Sequence, residues 1–185
     1  MKRIAIAFAV AALAGCSRRT DLPVYGHVPG FVLTSQTGEP FDGKSLAGKI
    51  WVADFMFTRC MGPCPRMTSQ MHWVQKQTAD LPEIKLVSFT VDPEYDTPAV
   101  LTAYSQRFRA DPARWYFLTG PVPALHQLSR GAFKVGDIDG NNTMHSTRFI
   151  LVDRQGRIRG YYRTEEGESL GPLIADIRRL AKEQS

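Results

Sequence analysis

Two cysteines four positions apart, in Cys60-Met61-Gly62-Pro63-Cys64-Pro65, carry the clearest chemistry in this chain. The Gly-Pro bend between them can bring both sulfurs to one side of a loop. Paired thiolates either bind a soft metal ion or exchange with disulfides. A monovalent copper ion favours thiolates and accepts an imidazole as a further ligand. His145 is the candidate for that ligand, because it ends a polar stretch over residues 137–143 and precedes an apolar run that starts near Arg148. His27, His72 and His126 have no comparable setting and read as solvated or locally satisfied side chains.

Other residues near this pattern carry weaker signals. Asp92-Pro93 is foremost a turn-forming pair, although Asp92 ends an expected strand and could face the cysteines and tune them from behind. Met67 and Met71 lie four apart on an expected helix, the spacing of core packing. Met61 and Met144 adjoin the candidate ligands, and neither is assigned to the ligand set. Asp137-Ile138-Asp139-Gly140-Asn141 is no calcium loop, since its glycine comes too early and Arg148 stands at the twelfth position.

These side chains need a scaffold to bring them together. Residues 51–57 form a nearly continuous apolar run, as expected of a central strand covered on both faces, and the cysteines follow its end. Helical spacing then runs over 64–81, a strand over 84–91, and a helix from Asp96-Thr97-Pro98 to about Arg109. A short strand at 115–118 and a short helix at 121–131 precede the polar loop. Residues 149–153 and 158–162 make a hairpin around Gln155-Gly156, and residues 168–182 close with an amphipathic helix. An earlier hairpin pairs 31–35 with 39–46. Alternating strands and helices imply parallel pairing, with an antiparallel hairpin at the edge. The helix start at Cys64 is expected to lower its thiol pKa.

The N-terminal end reads as something other than fold. Met1-Lys2-Arg3, an apolar run over 4–12 and Leu13-Ala14-Gly15-Cys16 have the layout of an export signal too short to span a bilayer. Leu-Ala-Gly-Cys resembles a bacterial lipobox, in which the cysteine becomes the lipidated first residue. The expected organisation is a signal peptide over 1–15, a tether over 16–29 and one domain over 30–185, exported and anchored on the periplasmic or extracytoplasmic side. With Cys16 lipidated, only Cys60 and Cys64 remain. A disulfide between them would close a tiny loop and staple little, so reactivity explains them better. The 23 basic residues, less Lys2 and Arg3, exceed the 18 acidic ones by three and form no concentrated stripe, which argues against a nucleic-acid partner.

Several segments in the right order resemble the Sco/SenC family of copper chaperones. They are residues 54–60, the Cys-x3-Cys-Pro motif, residues 90–98, and His145-Ser146-Thr147 leading into 149–153. The resemblance implies an α/β thioredoxin-like fold, with a central mixed sheet flanked by helices and an N-terminal β-hairpin. It also implies one copper ion per chain held by Cys60, Cys64 and His145, and assembly of the dinuclear copper centre of cytochrome c oxidase. The partners implied are the copper-site subunit of that oxidase and other periplasmic copper chaperones. Many family members place an acidic residue between the cysteines, where this chain has Met61, Gly62 and Pro63. Losing that charge should lower thiol pKa.

Two enzymatic readings compete. A thiol-disulfide oxidoreductase would use Cys60 and Cys64 to reduce the copper-site cysteines of the oxidase subunit, passing through a mixed disulfide. Oxidoreductases resembling thioredoxin carry a cis-proline before the strand facing the cysteines, whereas this chain reads His145-Ser146-Thr147-Arg148-Phe149. A peroxiredoxin-like peroxidase would place a Pro-Thr pair ahead of a single attacking cysteine, which is also missing. Copper binding is the favoured expectation.

Overall fold

The computed structural model describes residues 22–135 and 147–183. Cys16, Met144, His145 and the polar loop at 137–143 lie outside the described residues.

Among the described residues one mixed sheet of eight strands organises the molecule, in the spatial order β1 (Gly26–His27), β8 (Arg157–Arg163), β7 (Arg148–Val152), β4 (Trp51–Met56), β5 (Lys85–Thr90), β6 (Trp115–Thr119), β2 (Val32–Ser35) and β3 (Pro40–Asp42). Its centre is β4 (Trp51–Met56), parallel to β5 (Lys85–Thr90), which is parallel to β6 (Trp115–Thr119). β7 (Arg148–Val152) runs antiparallel beside β4 and turns back into β8 (Arg157–Arg163). The hairpin of β2 (Val32–Ser35) and β3 (Pro40–Asp42) packs on β6 at the far edge. Gly38 turns it with φ +86, a conformation that costs glycine nothing.

β4 is buried along its whole length because helices cover both faces of the sheet. Val52 and Met56 face α1 (Cys64–Gln77), α2 (Pro98–Arg107) and α4 (Gly171–Lys182), packing with Met67, Met71, Leu101 and Ile177. Trp51, Ala53 and Phe55 face the other way, against Phe89, Phe133 and the α3 (Val122–His126) segment. Met67 and Met71 are fully buried, in agreement with the core reading.

Four departures from the sequence reading have local or long-range causes. The second half of the early hairpin is a 3-10 turn at Gly43–Leu46, because the Asp42 carboxylate accepts the Lys44 amide at 2.9 Å and starts a turn. α1 stops at Gln77, and buried Arg114 donates to the Thr78 carbonyl at 3.0 Å. α3 continues from Gln127 to Ala132 as a wider π-type turn. Residues 22–29, read as tether, carry strand β1 (Gly26–His27), which pairs antiparallel with β8. Arg159 holds that segment in place: its guanidinium donates to Leu22 O at 2.6 Å and Pro23 O at 3.1 Å, and pairs with buried Asp153 at 2.7 Å.

Candidate metal centre

β4 ends at Met56, and the chain turns over Phe57, Thr58 and Arg59 into Cys60, whose amide reaches the Phe57 carbonyl at 3.4 Å. The Gly62 amide then donates to Cys60 Sγ at 3.4 Å. Pro63 has helical torsions, φ −73 and ψ −25, so Cys64 becomes the first residue of α1. Both thiols are free and buried, Cys60 at 6% and Cys64 at 1% exposure. They therefore sit as neighbours at the carboxyl end of a central strand, where functional sites of open α/β sheets collect.

The electrostatics of Cys64 run against the expected lowering at a helix start. Burial pushes the Cys64 thiol well above its ordinary range; a backbone hydrogen bond from Phe57 opposes the rise, and the adjoining Cys60 thiol and Asp54 carboxyl add to it. Loss of solvent outweighs the helix terminus because Cys64 points into the core with Met67 and Tyr104. The residue is held firmly: Thr68 Oγ1 donates to the Cys64 carbonyl at 2.9 Å and lies 3.0 Å from the Tyr104 hydroxyl.

Three carboxyl groups surround this arrangement. Asp92 forms the expected turn, its carbonyl accepting the Tyr95 and Asp96 amides at 3.2 and 2.9 Å. It also reaches the cysteine loop, since Arg59 Nε donates to Asp92 Oδ2 at 2.5 Å while the Arg59 guanidinium lies 4.8 Å from the Tyr95 ring centre. Asp92 thus touches the residue before Cys60; no hydrogen bond joins it to either sulfur among the described residues.

Asp96 and Asp54 went unassigned from sequence. The cap of α2 is Thr97, whose hydroxyl accepts the Val100 amide at 3.4 Å. Asp96 instead turns inward and accepts Thr58 N, Thr58 Oγ1 and Thr90 Oγ1 at 3.2, 2.5 and 2.5 Å. Burial raises its pKa, and those hydrogen bonds pull it back. Only the folded pairing of β4 and β5 brings these threonines together, so no sequence spacing announces it.

Asp54 had a signal, a lone carboxylate inside an apolar run. It is fully buried, and neither oxygen has a hydrogen-bond partner of ordinary geometry among the described residues. Burial pushes its pKa up to about 7, tempered by the Ser88 hydroxyl across the strand register.

Among the described residues, no third His, Cys, Asp or Glu joins the thiols in a metal cage. Position 145 lies outside them, and the chain re-enters at Thr147, whose carbonyl accepts Thr164 N at 2.9 Å and Thr164 Oγ1 at 2.8 Å. β7 begins one residue later, antiparallel to β4, at the same end of the sheet as the cysteines. Two neighbouring soft donors fit a cuprous ion well and a hard cation poorly.

A family model described as SCO1/SenC matches residues 23–182. A solved SCO1/SenC family lipoprotein from Bacillus anthracis str. Ames is 37% identical, with a TM-score of 0.79 over 85% of this chain and 96% of that one. BsSco, described as a member of the Sco family of cytochrome c oxidase assembly proteins with a disulfide switch, is 29% identical, with a TM-score of 0.78 over 90% and 99%. Bradyrhizobium japonicum ScoI, solved with copper bound, is 27% identical, with a TM-score of 0.66 over 83% and 99%. These structures share the α/β thioredoxin-like sheet described above.

Proposed function

The chain belongs to the SCO1/SenC family, and from that premise we propose that it carries copper for assembly of the dinuclear copper centre of cytochrome c oxidase. In this reading Cys60, Cys64 and His145 hold one ion per chain and deliver it to the copper-site subunit of the oxidase. The observation that carries it is the pair of free thiols side by side at the carboxyl end of β4. The relatives add support, one described as copper-bound and one as an oxidase assembly protein. The position of Thr147, at the same sheet end as the cysteines, supports His145 as the third donor. Binding requires thiolates, so loading expels protons from buried groups and tightens as pH rises.

Titration of the reduced chain with cuprous ion tests this. One equivalent should bind, and His145→Ala should weaken binding by about tenfold or more, the scale of losing one ligand-level interaction. Unchanged affinity in the variant removes His145 from the ligand set.

A second reading has its own observation. The interacting Cys60 and Cys64 thiols support a reversible disulfide between them, and BsSco is described as having a disulfide switch. Reduction of an oxidised copper-site fragment by the metal-free chain, without metal transfer, would favour this reductase role.

The placement we infer is extracytoplasmic, on a lipid at Cys16, with residues 1–15 removed as a leader. The likeness to a lipoprotein of the family supports it, as does the lipobox-like Leu13-Ala14-Gly15-Cys16.

A further inference from the structure

Met61 has no role in the site described so far, yet it occupies its most conspicuous position. It stands between the two cysteines and is 99% exposed, while Cys60 and Cys64 are 6% and 1% exposed. Met56, Met67 and Met71 are buried, so among the described residues Met61 is the thioether that meets solvent. Packing does not account for it, since the side chain leans on nothing. The loop around it is firm: the Gly62 amide donates to Cys60 Sγ at 3.4 Å and Pro63 leads directly into α1. The guanidinium two residues before it in the sequence is held aside, because Arg59 is engaged by Asp92 at 2.5 Å and by the Tyr95 ring.

Buried sulfurs pose a kinetic problem for a carrier. A chelated ion arriving from outside must keep a ligand while it changes hands, and the thiols lie below the surface. A thioether suits the first contact: it is soft, neutral and carries no proton to lose, and it binds monovalent copper weakly enough to release it. Rotation about the Cα–Cβ and Cβ–Cγ bonds lets Sδ swing from solvent toward the loop it belongs to.

We propose that Met61 is the exchange ligand of this chain, taking a cuprous ion from an external chelate and passing it to Cys60 and Cys64, and the reverse on delivery. The inference rests on the copper reading above and names the residue through which that cargo enters and leaves. The ion stays cuprous throughout. A bond to the donor chelate breaks as Cu–Sδ forms; Cu–Sδ breaks as the bonds to the cysteine sulfurs form, and the thiol protons pass to water.

Met61→Leu keeps size and apolarity while removing the sulfur, and at a fully exposed position it leaves the fold alone. The reduced full chain is mixed with the coloured cuprous bicinchoninate complex, and loss of colour is followed in time. The expected result is transfer slowed about tenfold in both directions with the equilibrium amount bound unchanged, as for removal of a step that lowers only the barrier. In rapidly frozen samples of selenomethionine-labelled chain, selenium-edge absorption should show a Cu–Se contact during transfer that the Leu variant lacks. Equal rates for the two chains overturn the proposal. Affinity falling together with rate also overturns it, by making Met61 a resident ligand. If neither chain takes up copper, the carrier reading fails and this inference with it.

Discussion

Asp54 places a carboxyl where water does not reach and, among the described residues, no donor meets it with ordinary hydrogen-bond geometry, which burdens the fold with an electrostatic cost. The folded chain holds its proton up to about pH 7, against 3.8 for an ordinary aspartate. Between those values the folded state binds more protons than the unfolded one. Its contribution is therefore intact below the ordinary carboxylate range and is lost as pH rises toward about 7. The loss is bounded at about 4 kcal/mol. Asp54→Asn removes the titration, so the melting temperature of the native chain should fall more steeply than the variant's from about pH 4 to about pH 7. Parallel curves would show that Asp54 does not titrate in that window. Cys64 shares this environment, and its burial keeps the thiol protonated until a metal or an oxidant displaces the proton.

At the level of elements, the cysteine loop is held less by its own sequence than by the end of β5. Asp96 gathers Thr58, two residues before Cys60, and Thr90, the last residue of β5, onto one carboxylate. Asp96→Asn replaces an acceptor of two hydroxyls and an amide by a group with one acceptor oxygen. The cost should be about 1–3 kcal/mol, with the loop freed to move. Cys60 should then be alkylated faster by a small reagent in the folded state, alongside a lower melting temperature. Unaltered labelling together with unaltered melting would deny Asp96 its role. The contrast with β4 shows what the sequence could reveal. The strand was legible because both its faces are covered, and the Cys-x3-Cys loop because its chemistry is written in adjacent residues. β1 was not, since Gly26–His27 has no strand pattern and becomes one only by docking on β8. The Asp96 cluster was hidden for the same reason, and Asp54 was visible but passed over within an apolar run.

For the whole molecule, the sheet order β1-β8-β7-β4-β5-β6-β2-β3 and the residues matched by the family model account for nearly all the chain beyond its first two dozen positions. Those positions are where the proposed anchor lies. Intact-mass measurement of the chain from membranes should find residues 1–15 absent and a diacylglyceryl group on Cys16, and Cys16→Ser should abolish that species. A mature N-terminus elsewhere, without lipid, would sink the anchor. If the anchor is there, Arg159 sets how the domain hangs from it. By gripping the carbonyls of Leu22 and Pro23 it ties the start of the domain to the β1–β8 flank, six positions along the sequence from Cys16. Six residues can reach at most roughly 20 Å. The point at which Leu22 and Pro23 are held would then stand no further than that from the lipid, which would keep the domain close to the surface that anchors it.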